Sequence, residues 1–94
     1  MADVWVLQGL SGPGGKLELD AVVLGNRKIL TQHEGIKELL EQDFEVADSL
    51  SDEGKLPTAA LFEFLNATHN SAYGKGRILS SEEARELVKK NGGI

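Results

Sequence analysis

A single change of rhythm at Thr31 constrains this chain more than any other feature. Before it, apolar side chains recur at every second position; beyond it they recur at three and four. A period of two fits a half-buried strand and a period near 3.6 fits an amphipathic helix, so the two parts cannot share one secondary structure. In the first part, Leu17, Leu19 and Ala21 alternate with Lys16, Glu18 and Asp20. Val4 and Val6 alternate with Trp5 and Leu7, giving a strand that is apolar on both faces. Ser11-Gly12-Pro13-Gly14-Gly15 separates these runs with dense turn chemistry. Val22-Val23-Leu24 continues the second strand, and Gly25-Asn26 suits a two-residue hairpin turn. Arg27 to Leu30 then returns as a short third strand. The expectation is a three-stranded antiparallel β-meander over residues 1–30.

The helical part spans residues 31–94. Ile36, Leu39, Leu40, Phe44, Ala47 and Leu50 form one apolar stripe and predict a helix over about 34–52. Thr31 with Glu34 matches a capping box, although Gly35 weakens the first turn by about 1 kcal/mol relative to alanine. A second helix opens after Pro57-Thr58. Its apolar residues Leu61, Phe62, Phe64 and Leu65 cover an arc wide enough to pack on more than one side. Residues 69–76 read as a flexible connector. A third helix starts near Ser80, capped with Glu83, and carries Ala84, Leu87 and Val88 on its apolar face. Lys89-Lys90 and then Asn91-Gly92-Gly93 are its stop signals. Each helix therefore follows an apolar pair and a hydroxyl residue: Thr31, Thr58 and Ser80. The expected fold is α+β, one domain over residues 1–94, with the three helices packed on one face of the meander. Trp5, Leu7, Leu17, Leu19, Val23, Ile36, Leu40, Phe44, Leu61, Phe62, Leu65 and Leu87 are its expected core.

Bulk properties narrow the functions. Ninety-four residues make room for one core, and 40% hydrophobic with 27% charged residues is ordinary for a globular chain. The absence of cysteine removes disulfide and thiolate chemistry. A net charge of −5 disfavours nucleic acid and anionic membranes as partners. The start lacks a basic segment, its apolar run stops at Gln8, and no stretch approaches the roughly 18 apolar residues of a membrane span. No membrane association and a cytoplasmic location are the expectations.

Each candidate chemical motif must meet the geometry that its chemistry requires. Gly9 to Lys16 superficially resembles a phosphate-binding loop, but the register is off by one and Leu17 stands where a hydroxyl should bind Mg²⁺. A strand-like segment follows it instead of a helix, so a hairpin loop is the better reading. A calcium loop centred on Gly54 would place Ala60 where a bidentate Glu is needed, and one centred on Gly76 would place Lys75 among the ligands. Both fail. His33 and His69 have no ligand-spaced partners, and no nucleophile–base–acid set is evident. No catalytic residue, metal or cofactor is expected. Tyr73-Gly74-Lys75-Gly76-Arg77 is the one basic–aromatic cluster, small against the overall charge.

The most specific signal is acidic. Glu34, Glu38, Glu41, Glu45, Asp48 and Asp52 are spaced by four and three residues in alternation, which holds them on one stripe of a helix. Eight of the chain's fifteen acids lie in residues 34–53, with Lys37 the only base among them. Such a stripe is either a solvated face, a face neutralised by Arg85, Lys89 and Lys90 of the third helix, or a docking surface. The functional expectation is a small non-enzymatic regulatory or adaptor protein that binds a partner with a basic surface through this stripe. A nucleic-acid-mimicking inhibitor is its sharper form. The alternative is a small ligand- or nucleic-acid-binding module using the glycine-rich loop and Lys16 together with Tyr73, Lys75 and Arg77. A homodimer through an edge strand at residues 3–8 is also open.

Overall fold

The computed structural model describes residues 2–10, 17–69 and 75–90. Four strands and three helices follow in the order β1 (Ala2–Leu10), β2 (Leu17–Leu24), β3 (Ile29–Leu30), α1 (Glu34–Ser49), α2 (Thr58–His69), β4 (Lys75–Ser80) and α3 (Ser81–Lys90). The strands form one antiparallel sheet in the order β3-β2-β1-β4. The α+β class agrees with the sequence pattern, but the sheet has a fourth strand. Residues 75–80, expected partly as connector and partly as the approach to a helix, pair along β1 from Gln8 opposite Lys75 to Ala2 opposite Ser80.

That pairing makes β1 a central strand with both edges occupied, which overturns residues 3–8 as an exposed edge. It also explains the apolar run on both sides of β1. Trp5 and Leu7 point to one face with Ala21 and Val23, where Leu40 and Ala47 of α1 and Leu61, Phe62 and Leu65 of α2 cover them. Val4, Val6 and Val22 point to the other face and meet Ala84, with Leu87 and Val88 packed alongside. The helices therefore do not share one face: α1 and α2 lie on one side and α3 on the other. A strand apolar on both faces requires this, because a single helical layer would leave Val4, Val6 and Val22 in water. Burying those three side chains is worth on the order of 5 kcal/mol by area.

Local irregularities serve the same layering. The β1–β2 register shifts so that Leu7 faces Ala21 while Gln8 faces Leu19, which leaves Asp20 as the extra residue of a bulge. Leu19 is thereby turned onto the α3 side, with Val22 and Leu24. Thr31 Oγ1 donates to the Asp20 carbonyl at 2.6 Å and accepts from the His33 N–H. Its hydroxyl is thus committed to the bulge, and α1 begins at Glu34 behind His33, an N-cap residue that makes no side-chain cap hydrogen bond. The expected Thr31 capping box does not form. Thr58 likewise donates to the Gly25 carbonyl, tying α2 to the β2–β3 turn. Only Ser80 behaves as a cap: the Glu83 N–H donates to Ser80 Oγ, which donates to the Glu83 carboxylate at 3.0 Å.

The β2–β3 turn has three loop residues rather than two. Arg27 N–H donates to the Leu24 carbonyl and Leu24 N–H to the Lys28 carbonyl, with Arg27 in the left-handed region at φ 71°. A non-glycine residue pays about 1–2 kcal/mol to sit there, so its side chain must recover something.

Candidate functional site

α1 places its acidic residues by simple helical geometry, but the six sequence candidates do not share one fate. Glu34, Glu38, Glu41 and Glu45 are exposed along the outer face of the helix. Asp48 is half-buried and turned inward, where it accepts two hydrogen bonds from the Arg27 guanidinium, at 2.7 and 2.9 Å, and one from the Leu56 N–H at 3.0 Å. The Arg27 hydrogen bonds, reinforced by the Leu56 amide, pull the Asp48 carboxyl down to about 2 from the usual 3.8. Arg27 also donates to the Leu56 carbonyl and lies over Phe44, its guanidinium 5.9 Å from the ring centroid. This is what the left-handed turn recovers: one side chain joins the hairpin to the end of α1 and the start of α2. Asp52 lies beyond α1, which ends at Ser49, and so is not part of the helical stripe.

Four glutamates remain. Of the other acids on α1, Asp43 meets buried His69, with Nε2 to Oδ2 at 2.7 Å, and Asp48 meets Arg27. Among the described residues, Glu34, Glu38, Glu41 and Glu45 make no ion pair. The basic residues once available to neutralise them, Arg85, Lys89 and Lys90, belong to α3 on the opposite side of the sheet. Lys37 is the sole base on α1. The result is a single-sign stripe that leaves the solvated-face and docking-face readings standing and removes the internal-pairing one.

The alternative loop site is not assembled in the same way. Lys16 and Tyr73 lie outside the described residues. Lys75 opens β4, and exposed Arg77 sits within it, its guanidinium donating to Gln8 Oε1 across the β1–β4 pair. The basic residues of this cluster are therefore held on a strand rather than on a mobile connector.

Two further groupings arise only where the folded chain brings distant residues together. A cleft of about 400 Å³ opens beside the Arg27 clamp, lined by Gly25, Asn26, Glu53, Lys55, Pro57 and Thr58 among others. Beneath α2, the Trp5 indole N–H donates to Asn66 Oδ1 at 3.0 Å and its ring lies 5.5 Å from that of His69. His69 is buried, and its Nδ1 has no hydrogen-bond partner. Gly76 closes this corner, with no room for a Cβ against the indole. The signal for His69 was available: it continues the Leu61, Leu65 series at intervals of four, so it falls on the buried face of α2.

Among the described residues, no group of three or more His, Cys, Asp or Glu side chains is placed to hold a metal ion, and no helix is long and apolar enough to cross a membrane. In comparisons with protein-family models, curated proteins and solved structures, nothing matches this chain.

Proposed function

We propose that this domain is a regulatory or adaptor module that binds a protein partner with a basic surface through Glu34, Glu38, Glu41 and Glu45 of α1. The observation that carries the reading is the unpaired, one-sided placement of these four carboxylates on a core-anchored helix. Like charges at three- and four-residue spacing cost the helix a few tenths of a kcal/mol each. α1 bears that cost because Leu40 and Ala47 are fully buried on its opposite side. A preformed stripe of this kind favours approach of a cationic surface, raising the association rate and making it fall with salt.

Triple charge reversal of Glu38, Glu41 and Glu45 to Lys tests the reading. The proteins retained by the immobilised parent domain should be basic, should elute with added salt, and should be lost from the reversed variant while its far-UV circular dichroism stays that of the parent. Retention of the same proteins by both forms would overturn it.

A further inference from the structure

Beside the glutamates, α1 and Leu50, the residue that caps its C-terminus in helical geometry, expose apolar surface that the core does not use. Val46 and Leu50 are 52% and 67% exposed, the exposed large hydrophobics among the described residues. Four residues apart, they stack on one side of the helix, and half-buried Leu39 falls on the same side two turns earlier. At about 100° per residue, this ridge lies roughly 130° round the helix from the centre of the glutamate stripe. Exposed, uncharged Gln42 and Gly35 occupy the arc between them, while Lys37 lies on the far flank of the stripe. A helix lying along the Gln42 line has the two surfaces about 60–70° to either side of it, within reach of the long side chains that a partner helix presents.

We propose that the Leu39, Val46 and Leu50 ridge and the Glu38, Glu41 and Glu45 stripe together seat one cationic amphipathic helix of another protein. Its apolar row would lie on the ridge and its lysine or arginine row against the carboxylates. This proposal rests on the acidic-face reading above and specifies the partner. Charge complementarity selects the occupant. A second copy of this chain carries the same −5 and the same glutamates, and an anionic lipid surface is repelled for the same reason. From Glu38 to Leu50 the surface is about 18 Å long at 1.5 Å per residue, which matches a partner helix of about 12 residues.

Two synthetic probes of equal length test it: a helical leucine–lysine peptide with one leucine row bordered by lysines, and an oligolysine that carries charge alone. Affinities are read by fluorescence anisotropy and the site by backbone amide chemical shifts. The leucine–lysine peptide should shift amides within residues 35–50. Val46→Ser with Leu50→Ser should weaken it about tenfold, while leaving oligolysine binding unchanged. The Glu38, Glu41 and Glu45 to Lys variant should lose both probes. If the serine variant, folded by circular dichroism, binds the leucine–lysine peptide as the parent does, the ridge proposal fails and the acidic-face reading stands. If charge reversal leaves both probes bound, both readings fail. Sedimentation showing a parent dimer that the serine variant abolishes would give the ridge to a second copy and overturn the proposal.

Discussion

Three glycines in one unfolding series separate what space, backbone conformation and helix propensity each contribute. The decisive variant is Gly76→Ala. A Cβ at this position would lie 2.7 Å from Trp5 Cζ2, 2.8 Å from Trp5 Nε1 and 2.9 Å from Asn66 Oδ1, where carbon contacts favour about 3.5–4.0 Å. Trp5 is fully buried between β4 and α2 and has no room to swing away. Either β4 backs off β1 or the indole slides and lengthens its hydrogen bond to Asn66. Overpacking costs about 1–3 kcal/mol and the weakened hydrogen bond about 1 kcal/mol more. The sum, roughly 2–4 kcal/mol, is a large share of the 5–15 kcal/mol typical of a domain. At about 4–8 °C per kcal/mol, the melting temperature should fall by roughly 10–25 °C. Gly35→Ala meets nothing within 4 Å and should raise stability by about 0.5–1 kcal/mol in the first turn of α1. Gly54→Ala also meets open space, but its φ of 81° should cost about 1 kcal/mol. Urea unfolding followed by the single tryptophan and by far-UV circular dichroism reads all three. A Gly76→Ala protein within about 0.5 kcal/mol of the parent would refute the close packing of Trp5 against β4, since overpacking of a rigid core should cost more than that.

Three other perturbations test the clamp, the buried histidine and the α3 cap. The Asp48 carboxyl sits near 2 in the folded protein against 3.8 unfolded, so its stabilisation is complete above the unfolded value and is lost as pH falls toward the folded one. Melting temperature should therefore drop more steeply from about pH 4 to about pH 2 in the parent than in Asp48→Asn; parallel curves would mean the Arg27 clamp is open in solution. For neutral His69, Nε2 should carry the proton toward the Asp43 carboxylate. Long-range ¹H–¹⁵N spectra should then show the Nε2–H tautomer, and the Nδ1–H form would refute the ring placement. Ser80→Ala should cost about 1 kcal/mol in chemical denaturation, and no loss would argue that α3 does not depend on the Ser80 hydroxyl as its cap.

The elements carried by long, regular patterns were legible in the residues, and those created by tertiary pairing were not. Leu17 to Leu24 and the stripe from Ile36 to Ala47 each announce their own period. Residues 75–80 contain only Ile78 and Leu79 as large apolar side chains, with Gly76 between two bases. What makes them a strand is the second edge of β1, which no local pattern displays. The two-sided apolarity of β1 was visible, and it implied a cover on each face. That inference would have sent α3 to the side of Val4, Val6 and Val22. At the candidate site, spacing brought Glu34, Glu38, Glu41 and Glu45 onto one face but could not distinguish Asp48 from them. Its separation depends on Arg27, whose left-handed turn geometry brings a hairpin tip to the end of α1.

The central place of β1 also bears on the order in which the chain becomes safe from aggregation. β2 follows β1 closely and can pair with it as soon as a hairpin forms, but β4 lies beyond both α1 and α2. During synthesis, one edge of a nine-residue strand rich in Val, Trp and Leu therefore has no native partner until residues 75–80 emerge. Any fragment that stops before Lys75 would keep that edge open permanently and would also lack α3, the cover for Val4, Val6 and Val22.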